Sequence, residues 1–174
     1  MPERLPTPRF CQVCGQYLVE RYVEKEGQPR LQCEGCGFTH YMNPRVVVAV
    51  IVERGGRVLL QQRAIEPRRG YWTFPGGFLE FGESPADGAV RETKEEVGLD
   101  VSLTALHGVY ARTDVGIVLV VYRGTSESDD AYVGDFESMA VRWYAIDELP
   151  WEELAFVTTE QALREFVAQE RGQP

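Results

Sequence analysis

The stretch that decides the fold reads Gly77-Phe-Leu-Glu-Phe-Gly-Glu83 and resumes seven residues later as Arg91-Glu-Thr-Lys-Glu-Glu-Val-Gly-Leu99. Ser84 and Gly98 bracket the interval in which we predict a helix, over residues 85–97. Serine is a favoured N-cap, and glycine is a favoured residue just past the end of a helix. The stretch therefore predicts a glycine-containing loop that leads directly into a capped helix.

Three glutamates fall on one arc of this predicted helix. Glu92, Glu95 and Glu96 have i, i+3 and i+4 spacing, and the apolar positions fall on the opposite arc. Clustered carboxylates repel one another, and hard divalent cations such as Mg²⁺ relieve that repulsion. The alternative is an ordinary solvated acidic face. The preceding Gly76-Gly77 favours the metal site, because glycine lets the backbone approach a ligand closely.

Working outward, the pattern is that of one α/β domain. Trp72 and Phe74, just before the glycines, are expected to pack in its core. The polar, acidic segment 125–135 is expected to be a loop. Strands are predicted at residues 45–52, 58–60, 72–74, 103–110, 116–122 and 141–146, and a second helix at residues 159–169.

Four cysteines lie near the start of the chain, as Cys11-x-x-Cys14 and Cys33-x-x-Cys36 with eighteen residues between the pairs. This is the spacing of four-cysteine zinc sites. Four thiolates close a tetrahedral shell, so the zinc would be structural. A disulfide framework is the weaker alternative, because no secretory signal is apparent. Nucleic-acid binding is also disfavoured, because glutamates balance the basic residues of this segment.

Length and charge limit the classes of function. The chain has 174 residues and a formal net charge of −9, which suits one domain with a small appendage and disfavours general nucleic-acid binding. No apolar run has the length of a membrane span, so we expect a cytoplasmic protein. Asn43-Pro44 is a boundary signal. We therefore expect a zinc ribbon at residues 1–42 and a second domain at residues 43–174.

The loop and helix resemble the Nudix box. Gly77, Glu83 and residues 91–99 fill its invariant positions, and Thr93 departs from the bulky aliphatic residue that the family prefers. The resemblance covers residues 45–174, and the cysteine segment is similar to that of the zinc-ribbon branch of the family. It implies an α+β fold, a Nudix-type α/β/α sandwich with a mixed sheet, plus a small N-terminal zinc ribbon.

The resemblance also implies an activity. Nudix hydrolases attack a phosphoanhydride with a metal-activated water, so we expect Mg²⁺- or Mn²⁺-dependent hydrolysis of a nucleoside diphosphate derivative, first of all ADP-ribose or FAD. The relatives that act on NADH carry a Ser-Gln-Pro-Trp-Pro-Phe-Pro run that this chain lacks. Hydrolysis of NADH or NAD-capped RNA is thus an alternative, as is a non-catalytic nucleotide- or RNA-binding regulator that uses the ribbon. A homodimer is among the implied assemblies.

Roles of individual residues follow from the same resemblance. The implied metal ligands are Glu92, Glu95, Glu96 and the carbonyl group of Gly77. Arg91 and Glu83 are expected to hold the loop and to orient Glu92. The general base is either a glutamate of the box or a carboxylate from a loop, for which Glu137 is the candidate.

Four residues are candidates for substrate binding. Arg63, Arg68 and Arg69 lie between the predicted hairpin and the box, where guanidinium groups meet phosphates. Surface solubility explains these arginines about as well. Phe78 is a candidate for stacking on a nucleotide base.

Overall fold

The computed structural model describes residues 7–172 and divides them into two units, which separate between Pro44 and Arg45. An antiparallel sheet of three strands forms the N-terminal unit. These strands are β1 (Leu18–Val23), β2 (Gln28–Cys33) and β3 (Thr39–His40), in the spatial order β1-β2-β3. A 3₁₀ turn at Glu24–Glu26 joins β1 to β2 and ends at Gly27, whose φ of 67° lies in the left-handed region that glycine adopts without steric cost.

The C-terminal unit contains one mixed sheet and two α-helices among the described residues. Its strands are β4 (Arg45–Arg54), β5 (Arg57–Arg63), β6 (Trp72–Thr73), β7 (Gly76–Phe78), β8 (Ser102–Arg112), β9 (Ile117–Thr125) and β10 (Ser138–Ala145). The helices are α1 (Pro85–Val97) and α2 (Val157–Glu170), and short 3₁₀ turns lie at Ile146–Glu148 and Trp151–Glu153. The order along the sheet is β10-β5-β4-β9-β8, with β6 paired to β5 and β7 paired to β4.

Strand β4 lies at the centre of this sheet because both of its faces are apolar. It pairs in parallel with β9 and antiparallel with β5 and β7. Val48, Val50 and Val52 point to one face, where they pack with α1, and Ala49 and Ile51 point to the other, where they pack with α2. A continuous β-branched run is typical of a strand that is buried on both sides. The predicted α/β/α sandwich is confirmed.

Both helices begin and end close to the predicted limits. Ser84 caps α1 by accepting a hydrogen bond from the Asp87 amide, and Gly98 ends the helix with a φ of 72°. Helix α2 begins two residues before the predicted start and buries Leu163 and Phe166 against the sheet. Within residues 7–172, no helix is both long and apolar enough to span a lipid bilayer.

The structure differs from the sequence expectation at Gly76–Phe78, where part of the predicted loop is strand β7. Its pairing with β4 places Gly77 opposite Val48 and Gly76 opposite Ala49. A Cβ atom at Gly76 would overlap the carbonyl oxygen of Val48 and the side chain of Ala49. Glycine at this position therefore serves close strand packing as well as ligand approach, and the glycine loop is anchored in the sheet.

The segment between β9 and β10 is a loop, as predicted, and it binds the end of α1. The amides of Tyr132 and Gly134 donate to the carbonyl oxygens of Val97 and Glu96, at 3.1 and 2.9 Å. These carbonyls have no partner within the helix, because they belong to its last turn. The loop is thereby held against the same end of α1 that carries Glu95 and Glu96.

Gly134→Ala tests this attachment. A Cβ atom at this position would overlap the carbonyl oxygen of Glu95, so the loop must move away and lose its hydrogen bonds to α1. We expect the free energy of unfolding, measured by urea denaturation, to fall by about 2–3 kcal/mol, because two hydrogen bonds to α1 are lost. Gly116→Ala is the control, because a Cβ atom there meets only open space and the change costs about 1 kcal/mol of backbone strain. An equal loss in both variants would contradict the attachment.

Candidate active site

The Arg91 side chain joins the loop to helix α1. Its Nε and Nη2 atoms donate to the two carboxylate oxygens of Glu83, at 3.0 and 2.7 Å. Its Nη1 atom donates to Glu92 at 2.8 Å and to Glu95 at 3.0 Å, and Nη2 also reaches the Phe78 carbonyl oxygen at 3.3 Å. One guanidinium group therefore binds three carboxylates and the end of β7. Its planar donor fork is suited to the paired contact with Glu83.

Glu83 is held as an anion. Hydrogen bonds from Arg91, together with one from the Glu80 amide at 2.7 Å, lower the pKa of Glu83 to about 2. A Cβ atom at Gly88 would lie 2.8 Å from a Glu83 carboxylate oxygen, so the glycine leaves room for this side chain beside α1. Glu83 thus connects two parts of the loop through the Glu80 amide and connects the loop to the helix through Arg91.

Two carboxylates of α1 lie directly against the glycines of β7. Glu96 is only 4% exposed and accepts a hydrogen bond from the Gly76 amide at 2.6 Å. The Glu92 carboxylate lies beside Gly77, where a Cβ atom would overlap it. Gly76 and Gly77 therefore provide the space in which these two acids sit, and side chains at these positions would exclude them.

Burial makes the anionic forms of these acids costly. It raises the pKa of Glu96 to about 8, although the hydrogen bonds from Gly76 and from the Gln61 side chain act in the opposite direction. Burial also raises the pKa of Glu92 above its ordinary value. The negative charge of Glu92 further raises the pKa of Glu96, and the charges of Glu95 and Glu137 further raise that of Glu92. Such a pair requires protons or a cation to be stable at neutral pH.

The predicted row of three similar carboxylates is not uniform. The Glu95 side chain is 53% exposed, whereas Glu96 is buried, because Glu96 faces β7 and accepts the hydrogen bond from Gly76. In the part of the chain that the structure describes, only the four cysteines form a group of three or more potential metal ligands with all ligand atoms within 4.8 Å of one another. The three glutamates therefore flank the loop without converging on one point.

Two acids of the loop between β9 and β10 complete the negative surroundings. Glu137 accepts a hydrogen bond from the Ala64 amide at its carbonyl oxygen, and its own amide donates to Asp135. The negative charge of Glu137 acts on Glu92, and that of Asp135 acts on Glu96. Glu137 was a candidate from the sequence, whereas Asp135 and the buried Gln61 were not. Gln61 begins the polar end of β5, so no local pattern marks it as buried.

The four candidate substrate-binding residues are not brought together. The guanidinium of Arg63 lies over the Phe156 ring at 5.2 Å, and that of Arg68 over the Tyr71 ring at 5.2 Å. Arg69 is exposed and makes no side-chain interaction with the described residues. Phe78 is 47% exposed at the end of β7. The charges of Glu96 and Glu137 act on Arg63.

The cysteines of the N-terminal unit meet in one cluster. The Sγ atoms of Cys14 and Cys33 are 3.3 Å apart, and those of Cys11 and Cys36 are 3.8 Å apart. The Cys36 amide hydrogen-bonds to the Cys33 sulfur, which lowers the pKa of that thiol to about 6 and favours the thiolate. Four converging sulfurs with one thiolate already favoured suit a tetrahedral Zn²⁺ site.

Comparison with known protein families agrees with both parts of the chain. The family model described as NUDIX domain matches residues 42–168. The chain belongs to the Nudix family. The model described as Nudix N-terminal, a zinc ribbon, matches residues 9–42 and contains all four cysteines. The box residues and the cysteine cluster described above are thus features of a Nudix protein with an N-terminal ribbon.

A crystal structure of a NUDIX hydrolase from Nitrosomonas europaea is similar over almost the whole chain, with a TM-score of 0.89 and 37% sequence identity. It covers 96% of this chain and 95% of that one. An ADP-ribose pyrophosphatase of Methanocaldococcus jannaschii is 42% identical over 42% of this chain. The NAD-capped RNA hydrolase NudC of Haemophilus influenzae is 28% identical over 83% of this chain. The matches to the first curated relatives span 44% to 64% of their own lengths.

Glu96→Gln tests whether the buried acid is costly as an anion. The pKa of Glu96 is higher in the folded chain than when unfolded, so the folded chain binds the extra proton. This tighter proton binding stabilises the folded chain at low pH, and the stabilisation is lost as pH rises through about 8. In buffer without added Mg²⁺ or Mn²⁺, the free energy of unfolding should fall by roughly 3 kcal/mol from pH 5 to pH 8. Urea denaturation of Glu96→Gln should show a smaller fall.

Glu95→Gln is the matched control, because Glu95 is exposed on the same turn of α1. It should keep the pH dependence of the parent chain. A Glu96→Gln chain whose stability still falls as steeply as that of the parent would show that another group causes the dependence.

Proposed function

We propose that this Nudix protein hydrolyses the pyrophosphate bond of a nucleoside diphosphate derivative, with ADP-ribose or FAD as the first candidates. The observation that carries the proposal is the pair of carboxylates held beside the Gly76-Gly77 strand, the partly buried Glu92 and the buried Glu96. Such a costly arrangement is expected where an active site requires negative charge. The resemblance of the box and the relative named ADP-ribose pyrophosphatase support the choice of substrate.

The donor set fits Mg²⁺ or Mn²⁺. These ions prefer carboxylate and carbonyl oxygens, and a cation would offset the burial and the repulsion that raise the pKa of Glu92 and Glu96. Glu92 and Glu96, which lie beside β7, would hold it with the carbonyl group of Gly77, and the exposed Glu95 would join them on leaving Arg91. When bound, the ion screens the phosphate charges and lowers the pKa of a coordinated water.

The residues of the chain then have distinct roles. Arg91 and Glu83 hold the loop against α1, and Arg91 orients Glu92 by a direct hydrogen bond. A carboxylate accepts a proton from the attacking water. The oxygen of that water bonds to phosphorus, and the bridging P–O bond breaks. The leaving phosphate departs with the shared electron pair, and two phosphomonoesters are released. Glu137 and the box glutamates are the candidates for this base.

Substitution of the acids tests the activity. We expect the wild type with Mg²⁺ to convert ADP-ribose to AMP and ribose 5-phosphate, measured by chromatography beside FAD, NADH and diadenosine polyphosphates. A Glu95→Gln/Glu96→Gln double variant should lose roughly 10²–10³-fold in kcat, because it loses carboxylates that would hold the cation that stabilises the transition state. Glu137→Gln should lose roughly 10²-fold or more if Glu137 is the base.

The matched control is Glu127→Gln, an exposed acid of the same loop as Glu137. It should hydrolyse at the wild-type rate. A double variant as fast as its parent, or a folded metal-loaded wild type that cleaves none of these compounds, would refute the proposed function.

Removal of a cap from NAD-capped RNA is the second candidate. Relatives named NAD-capped RNA hydrolase NudC match 82% to 83% of this chain, at 28% to 30% identity. The net charge of −9 and the absent Ser-Gln-Pro-Trp-Pro-Phe-Pro run both favour small-molecule substrates instead. Including a capped RNA in the same screen separates the two candidates directly. RNA binding without any hydrolysis would instead support the non-catalytic regulator.

We further propose that the four-cysteine cluster holds a structural Zn²⁺. Metal analysis should find one zinc per chain, and Cys33→Ser should remove it and unfold the N-terminal sheet, because Cys33 ends β2 and lies in the cluster. Loss of the resolved amide signals of residues 7–44 in an NMR spectrum would show the unfolding. His40→Ala is the control and should retain zinc. A folded N-terminal sheet in a zinc-free chain would contradict the role.

Two further expectations from the sequence stay predictions, namely a homodimer and a cytoplasmic location. Strand β8 forms an edge of the sheet and exposes the apolar side chains of Leu106 and Val109. Exposed apolar edges often belong to interfaces between chains. This observation supports the homodimer.

A further inference from the structure

An open groove lies beside the start of helix α2. Its volume is about 410 Å³, within the usual range for sites that bind small molecules. The segment that ends at Tyr71 forms one wall, and the segment from Trp151 to Phe156 forms the other. None of these residues belongs to the acid cluster described above, so the groove is a separate feature of the surface.

Aromatic rings and guanidinium groups alternate around this groove. Arg68 lies over Tyr71 at 5.2 Å, and Arg164 lies over Trp151 at 4.5 Å. Arg164 is also paired with Glu160, whereas Arg68 makes no ion pair with any residue in the described part of the chain. Flat apolar faces beside unused hydrogen-bond donors are the chemistry that binds a planar heteroaromatic ring.

The two walls are fixed to each other by hydrogen bonds. The Ala155 amide donates to the Trp72 carbonyl oxygen at 2.8 Å, and Trp72 pairs with Leu154 in a parallel bridge. Buried hydroxyl groups of Thr73 and Thr159 lie 3.1 Å apart and connect β6 to α2. The groove is therefore preformed and would lose little conformational entropy on binding.

Arg63 connects the groove to the acids. Its backbone is bonded to Tyr71 through an amide–carbonyl contact of 2.9 Å, and its guanidinium stacks on the Phe156 ring at the groove. Burial lowers the pKa of Arg63, and the charges of Glu96 and Glu137 act in the opposite direction. A positive group thus contacts one wall of the groove and interacts with the charges of the carboxylates, as the diphosphate of a substrate would require.

We propose that the aromatic groove binds the planar base of the nucleotide whose pyrophosphate lies at the acid cluster. The base stacks on Tyr71 and Trp151, Arg68 donates to acceptor atoms on its edge, and Arg63 lies along the phosphates. This inference rests on the proposed function and adds the specificity site to it. Ligands with a base and a phosphate should therefore bind better than phosphates that lack a base.

Two measurements test the groove. In buffer without Mg²⁺, calorimetry compares the binding of AMP, FMN and ribose 5-phosphate to the full chain. With Mg²⁺, steady-state kinetics gives KM and kcat for ADP-ribose and FAD. Arg68→Gln and Tyr71→Leu should weaken binding of AMP or FMN, and should raise KM, by roughly five- to a hundred-fold with kcat nearly unchanged. Ribose 5-phosphate should bind all chains equally.

Arg142→Gln is the matched control, because Arg142 also stacks on a tyrosine, Tyr144 at 5.6 Å, but does not line the groove. It should behave as the wild type does. Thermal unfolding checks that the variants fold, and Arg68 is exposed, so its replacement should leave the fold intact.

The outcomes separate the two proposals. Unchanged binding of AMP and FMN and unchanged KM in both groove variants would overturn the groove inference while leaving hydrolysis intact. Base-dependent binding that these variants weaken, in a wild type that cleaves nothing, would support the groove and refute the proposed function. Equal affinity of the wild type for AMP, FMN and ribose 5-phosphate would also overturn the inference.

Discussion

The guanidinium group of Arg91 binds Glu83, Glu92 and Glu95 at the same time, and the remaining features of the candidate site depend on this contact. Without a cation at that point, three carboxylates would repel one another and the loop would have no fixed attachment to α1. Two hydrogen bonds to Glu83 fix the loop, and a third orients Glu92. Because the planar group presents its donors in a rigid fork, a lysine could not make the same set of contacts.

Glycines and buried acids depend on each other in this site. Gly76 and Gly77 leave a space between β7 and α1 that is large enough for carboxylates, and Glu92 and Glu96 occupy it. The sheet withholds water from Glu96, so its negative charge is costly and its pKa is raised. The fold thereby places an unfavourable negative charge at a position where it would stabilise a bound divalent cation. This is the expected relation between local instability and a binding site.

In the proposed function, the acid cluster and the aromatic groove have separate roles, because the acids act on the pyrophosphate and the groove binds the base. The acids lie on helix α1, which packs against the sheet and thereby has a fixed backbone. The groove is built from the segments before β6 and before α2, which lie outside the box. Segments of this kind vary without disturbing the chemistry, because they rest on the scaffold and are not part of its core. Arg63, at the end of β5, stacks on Phe156 of the groove, and the charges of Glu96 and Glu137 act on it.

Local patterns in the sequence determined the helix over residues 85–97, since a cap, a stop and apolar spacing all act within one segment. They also determined the central strand, the four-cysteine site and the loop that leads into the helix. Sequence spacing alone placed Glu96 beside Glu92 and Glu95 on an exposed arc, but it could not show that the sheet would bury one of the three. Gln61, Asp135 and the groove at Tyr71 and Trp151 depend on contacts between distant segments. Only the tertiary structure could decide these contacts, because burial and long-range approach are properties of the packed chain.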